Sequence, residues 1–92
     1  MKKIYLAGAM AGVDNYIEVF HNYAEYLKED GWFVFNPSTM IGEYKDCLAY
    51  DLNWICKQAD AIAMIPKWEL SKGAQVEWRL AIALGLEIIY LE

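Results

Sequence analysis

The stretch Ala61-Ile-Ala-Met-Ile65-Pro-Lys-Trp-Glu-Leu-Ser71-Lys-Gly-Ala-Gln-Val-Glu77-Trp-Arg-Leu-Ala-Ile-Ala-Leu-Gly85-Leu-Glu-Ile-Ile-Tyr-Leu91 reads as a strand, a helix and a second strand. Residues 61–65 are continuously apolar and Pro66 ends them, the pattern of a strand buried on both faces. Ser71 can cap the helix that follows and Gly85 can stop it. Glu87 to Leu91 is again strand-like. Two strands separated by a single helix imply a parallel pair joined by a crossover.

The same alternation continues towards the N-terminus. Lys3 to Ala7 reads as a buried strand, broken by Gly8-Ala-Met-Ala-Gly12. From Asn15 to Asp30, Tyr16, Phe20, Tyr23, Ala24 and Leu27 recur at helical spacing, and Gly31 stops them. Trp32 to Phe35 is a short strand closed by Asn36-Pro37, and a helix from Glu43 to Gln58 directs Leu48, Leu52, Ile55 and Ala59 inward. The order β-α-β-α-β-α-β predicts an α/β three-layer sandwich, flavodoxin-like or Rossmann-like. It has one parallel sheet of four strands, ordered 2-1-3-4, with helices on both faces. Residues 1–92 form one domain, and no repeat, linker or low-complexity segment interrupts it.

Composition narrows the function classes. The chain is 58% hydrophobic with four Trp, seven Tyr and three Phe, which is a folding composition and leaves apolar surface for a partner. Eight Lys and Arg against 13 Asp and Glu give a net charge of −5 with no basic run, which argues against binding a nucleic-acid polymer. Met-Lys-Lys-Ile-Tyr-Leu-Ala-Gly-Ala-Met at the start imitates a signal peptide, but Asp14 and Asn15 follow too soon. No apolar run has the length of a membrane span, so a cytoplasmic protein without a membrane partner is expected. Cys47 and Cys56 on one helix would lie about 13 Å apart, too far to pair. With His21 as the single histidine, no zinc spacing exists and neither a metal nor a cofactor is expected.

Glu77 is the residue that the apolar helix does not need. In a helix over 71–85 its expected neighbours on the buried side are Ala74, Trp78, Ala81 and, one turn further, Leu84, so the carboxylate faces inward. An inward acid is costly unless it is paired or used. Pairing with Lys72 or Arg79, or a rotated helix, is the structural alternative. Asp51, beside Leu48 and Ile55, borders the buried face of its own helix, with an ion pair to Lys45 as its alternative. Tyr5 reads as core, and Trp68 as either a lid or packing. In a 2-1-3-4 sheet a ligand is expected beyond the carboxyl ends of strands one and three, between loops 8–15 and 66–73. Gly8, Ala9, Met10 and Gly12 lie in the first loop, and Trp68, Ser71 and Gly73 lie in the second, which leads to Glu77.

Lys3-Ile-Tyr-Leu-Ala-Gly8, Asn36-Pro37, Asp51-Leu-Asn-Trp-Ile, Gln58-Ala-Asp-Ala-Ile62, Ser71-Lys-Gly-Ala-Gln-Val-Glu77 and Ala83-Leu-Gly85 occur in this order along the chain. In these features the chain resembles the nucleoside 2-deoxyribosyltransferase superfamily, which includes deoxynucleoside 5'-monophosphate N-glycosidases, and its short, often phage-borne members. The resemblance covers essentially the whole length. It implies that Glu77 is the nucleophile at the anomeric carbon, Asp51 the acid that holds the nucleoside and protonates the leaving base, and Tyr5 the residue that orients Glu77. It implies that Ser71, where transferases have Asp, contacts a 5'-phosphate, and that Gly8, Ala9, Met10 and Gly12 form the phosphate-side loop. The chain departs from those glycosidases in having Ala11, Val13 and Asp14 where they carry Arg, so Lys67 or Lys72 would supply positive charge.

These residue types suit the chemistry. Cleaving an N-glycosidic bond builds positive charge on the sugar, which one carboxylate captures while a second carboxyl protonates the base. The expected activity is hydrolysis of a (deoxy)nucleoside 5'-monophosphate to free base and sugar phosphate. The alternatives are a 2-deoxyribosyltransferase exchanging bases and a non-catalytic nucleotide-binding or sequestering module. The ligand is then a nucleoside or its 5'-monophosphate. The resemblance also implies a homodimer or higher homo-oligomer, with exposed Trp54 and Trp78 suited to its interface, although Trp78 also reads as core.

Overall fold

The computed structural model describes residues 1–92, and its elements follow the alternation of the sequence. They are β1 (Lys3–Ala7), α1 (Tyr16–Glu29), β2 (Phe33–Phe35), α2 (Tyr44–Gln58), β3 (Ala61–Met64), α3 (Lys72–Leu84) and β4 (Glu87–Tyr90). Two single 3-10 turns, Pro37–Thr39 and Trp68–Leu70, lie after β2 and β3. The four strands form one parallel sheet in the order β2-β1-β3-β4, with Tyr5 opposite Phe35 on one side and Ile62 on the other.

The chain steps from β1 to β2 in one direction, then passes back across β1 to β3 and on to β4. Right-handed crossovers therefore put α1 on one face and α2 and α3 on the other. Two cores result from this division. Ile4, Leu6, Ala61 and Ala63 pack against Phe20, Ala24 and Leu27 of α1, while Tyr5, Ala7, Ile62 and Met64 pack against Ile55 of α2 and Ala74 and Ala81 of α3. Strand period two separates the cores residue by residue. The central strands β1 and β3 are buried on both faces, which explains their unbroken apolar runs.

Helix α3 is set by its ends. Ser71 Oγ accepts from the Ala74 N–H at 3.2 Å, and Gly85 closes the helix with a left-handed φ of 72°. On this helix Ala74, Glu77 and Ala81 are buried, whereas Leu84 is 44% exposed and Trp78 lies to one side. Residues 77 and 78 differ by about 100° around the axis, and Leu84 sits in the last turn beyond the reach of the sheet. The inward expectation thus holds for Ala74 and Ala81, holds in part for Trp78, which packs half-buried against the same core, and fails for Leu84. No helix is long and apolar enough to cross a membrane.

Candidate active site

The strand order reverses between β1 and β3, and the carboxyl ends of the strands open there into a cavity of about 830 Å³. Loop 8–13 after β1 and residues 67–74 after β3 form two walls, and the third comes from residues 37–48 at the end of β2 and the start of α2. Gly8, Ala9, Met10, Gly12, Ser71 and Gly73 all line it, together with Tyr5, Asp51 and Glu77. Two of the glycines make close approaches, that of Gly8 to a buried side chain and that of Gly73 to the movable end of an exposed one. A Cβ on Gly8 would meet the Ile65 Cβ at 2.9 Å, and one on Gly73 would meet the Tyr44 Oη at 2.9 Å.

Three ionisable groups converge on the cavity floor. Glu77 is 6% exposed, and the Tyr5 hydroxyl donates to its Oε2 at 2.6 Å across 72 residues of sequence. Asp51, 7% exposed, reaches the same cavity from α2. The single ion pair of the protein, Lys28 with Glu25, lies on α1, so Glu77 has no bridge to Lys72 or Arg79 and Asp51 none to Lys45. The ion pairs that would have given both carboxylates a structural role are therefore not made. Glu77 and Asp51 are acids buried without a counter-charge, and one of Asp51's oxygens, Oδ1, has no hydrogen-bond partner at all.

The electrostatics follow from this burial. Loss of water pushes Glu77 up to about 8, against the Tyr5 hydrogen bond that favours its charged form and with the nearby Asp51 charge opposing ionisation. Burial likewise lifts Asp51 to about 6, again opposed by Tyr5. The Tyr5 phenol is raised well above its ordinary value, first by burial and then by the two carboxylates, so it stays a donor throughout the physiological range. Its ring is held from behind by Phe35, stacked at 5.4 Å, and by Trp54 at 6.3 Å.

Trp68 departs from expectation. It does not line the cavity but packs on Trp78 at 5.0 Å and near Tyr90 at 6.3 Å, because the 3-10 turn at 68–70 rotates it away and offers Leu70 instead. Trp54 and Trp78, expected to be exposed, are half-buried against the α2/α3 core; the Trp78 indole N–H donates to the Tyr90 hydroxyl at 3.0 Å. Lys67 and Lys72 line the cavity and carry positive charge beside Ser71. No group of three or more His, Cys, Asp or Glu comes together as a metal site.

Ser38 escapes sequence reasoning. It lies in the 3-10 turn after β2, is 4% exposed, lines the cavity and has an Oγ without a partner. The available signal was its position just beyond the carboxyl end of β2, directly after Asn36-Pro37, one strand away from the reversal point.

The chain belongs to the family described as Domain of unknown function (DUF4406), whose profile matches residues 2–90. No match is found among curated proteins.

Proposed function

We propose that this member of the DUF4406 family cleaves the N-glycosidic bond of a (deoxy)nucleoside 5'-monophosphate, with the chemistry of the nucleoside 2-deoxyribosyltransferase superfamily. One observation carries this reading. Glu77 is buried with no salt bridge to any cation, is held by the Tyr5 hydroxyl at 2.6 Å, and shares its cavity with a second buried acid, Asp51. A structural carboxylate would be neutralised by a cation; a carboxylate meant to meet a developing sugar cation is better left without one.

Glu77 titrates towards about 8 and Asp51 towards about 6, so between those values the pair holds one proton. In the empty site Glu77 retains that proton longer. A bound nucleotide favours the other arrangement, because the electron-poor anomeric carbon faces Glu77 while a basic ring nitrogen faces Asp51. The Tyr5 donor stabilises the ionised Glu77 in that state. The Glu77 carboxylate then forms a bond to C1' as the C1'–N bond breaks, its electron pair leaves with the base, and the Asp51 proton goes to the base. Water next attacks C1', Asp51 takes the water proton, and sugar phosphate leaves with Glu77 restored as a carboxylate. Ser71 uses its oxygen lone pair on the Ala74 N–H, so its O–H remains free to donate to a phosphate oxygen beside Lys67 and Lys72.

The test is incubation of the protein with a panel of nucleosides and 5'-monophosphates, with and without a second free base, following base release by chromatography. Free base from monophosphates, abolished in a folded Glu77→Ala variant, is the expected result. Base exchange makes the protein a transferase. Undiminished turnover in Glu77→Ala removes Glu77 as nucleophile.

A further inference from the structure

Two buried polar atoms, Ser38 Oγ and Asp51 Oδ1, have no hydrogen-bond partner in the protein, and Ser38 has no part in the proposed reaction. A buried hydroxyl left unpaired costs roughly 1–3 kcal/mol, so such groups in folded proteins call for an explanation. Ser38 is held firmly. The Asn36 side chain accepts from its backbone N–H at 3.0 Å, Pro37 precedes it, and the residue is 4% exposed, so its backbone is held in place and its Oγ is closed to solvent in the empty site.

The polar groups of the cavity divide by strand. Ser71, Lys67 and Lys72 follow β3, while Ser38 follows β2 and Asp51 comes from α2, the next helix. Strand β1, with Tyr5, lies between β2 and β3, so these groups enter the cavity from opposite sides of β1. The lining around Ser38 is mostly apolar, with Pro37 and Met40 from the β2 side and Leu48 from α2, beside the Tyr44 ring and the Cys47 thiol. A mostly apolar slot bordered by two residues with unpartnered oxygens suits a flat nitrogen heterocycle, whose faces are apolar and whose edge is polar.

We propose, building on the N-glycosidase reading, that Ser38 is a specificity-determining residue. Its hydroxyl and Asp51 Oδ1 together hold the polar edge of the leaving base, Asp51 facing an N–H, amino group or protonatable nitrogen and Ser38 the adjoining ring nitrogen or carbonyl. Bases presenting such a paired edge bind; a heterocycle lacking it loses both contacts.

Calorimetric titration of free adenine, hypoxanthine, cytosine and uracil into wild type and Ser38→Ala tests this, alongside urea unfolding of both without ligand. The expected result is a roughly tenfold weaker affinity of Ser38→Ala for the preferred base, flattened ranking among the four, and an unchanged or higher urea midpoint, since no folded-state contact is lost. An unchanged ranking and affinity in Ser38→Ala, no free-base binding by wild type, or a lower ligand-free midpoint overturns the proposal. The two readings fail separately. Base binding that depends on Ser38 without cleavage of any nucleotide keeps the base subsite and removes the glycosidase. Nucleotide cleavage with the same base ranking in Ser38→Ala does the reverse.

Discussion

Replacing Glu77 by Gln isolates the cost of keeping this carboxyl in the protein. Its folded value is raised from 4.5 to about 8, so between those limits the folded protein holds a proton that the unfolded chain has released. With more protons bound in the folded state, stability falls as pH rises, by about 1.4 kcal/mol per pH unit. The contribution is fully present below about 4.5 and is lost as pH climbs through about 8. Asp51 is raised in the same sense, but its window ends at about 6. The interval from pH 6 to 8 therefore reports Glu77, and over it wild type loses about 2–3 kcal/mol. A domain of this size has a total stability of roughly 5–14 kcal/mol, so the loss is a large fraction. Gln still accepts the Tyr5 hydroxyl but has no proton to release. Urea unfolding at pH 6, 7 and 8 should show wild type falling and Glu77→Gln nearly flat, the variant becoming the more stable by pH 8 while losing activity. Equal slopes in the two proteins, or a flat wild type, would refute the claim that Glu77 is a buried, unpaired acid.

Other consequences follow from the same geometry. The pH profile of kcat/KM for base release is expected to be bell-shaped with limbs near 6 and 8, the apparent values of the carboxyl pair. Tyr5→Phe removes the donor that favours ionised Glu77 and should raise the upper limb; a profile that is identical in Tyr5→Phe counts against the hydrogen bond. Ser71→Ala should cost about 1 kcal/mol in urea through the lost cap, and should weaken 5'-monophosphates more than free nucleosides in calorimetry; equal losses would remove the phosphate contact. Gly8→Ala forces a Cβ to within 2.9 Å of Ile65 Cβ, and a destabilisation of about 1–3 kcal/mol by thermal or urea unfolding is expected, whereas a neutral result would mean that the first loop yields easily.

Local pattern determined the elements, because burial on one face of a helix or both faces of a strand is written directly into apolar spacing. The sheet order and the two-faced packing then followed from short connections and crossover handedness. Glu77 was legible for the same reason: an acid at i+3 from Ala74 and i−4 from Ala81 must face the sheet. What lay beyond the sequence was contact between distant segments. The Tyr5 hydroxyl meets Glu77 only because β1 sits beside β3 beneath α3; apolar pattern alone reads Tyr5 as core, and only the family resemblance set it beside Glu77. That no lysine or arginine reaches either acid depends on side-chain directions around the finished helices. Trp68 illustrates the same limit. Sequence put it in the correct loop, but one turn of 3-10 helix decided that it stacks on Trp78 and leaves Leu70 at the cavity. Ser38 became visible only once the fold had buried its hydroxyl without giving it a partner, since satisfaction of a polar group is a property of everything packed around it and not of the residue itself.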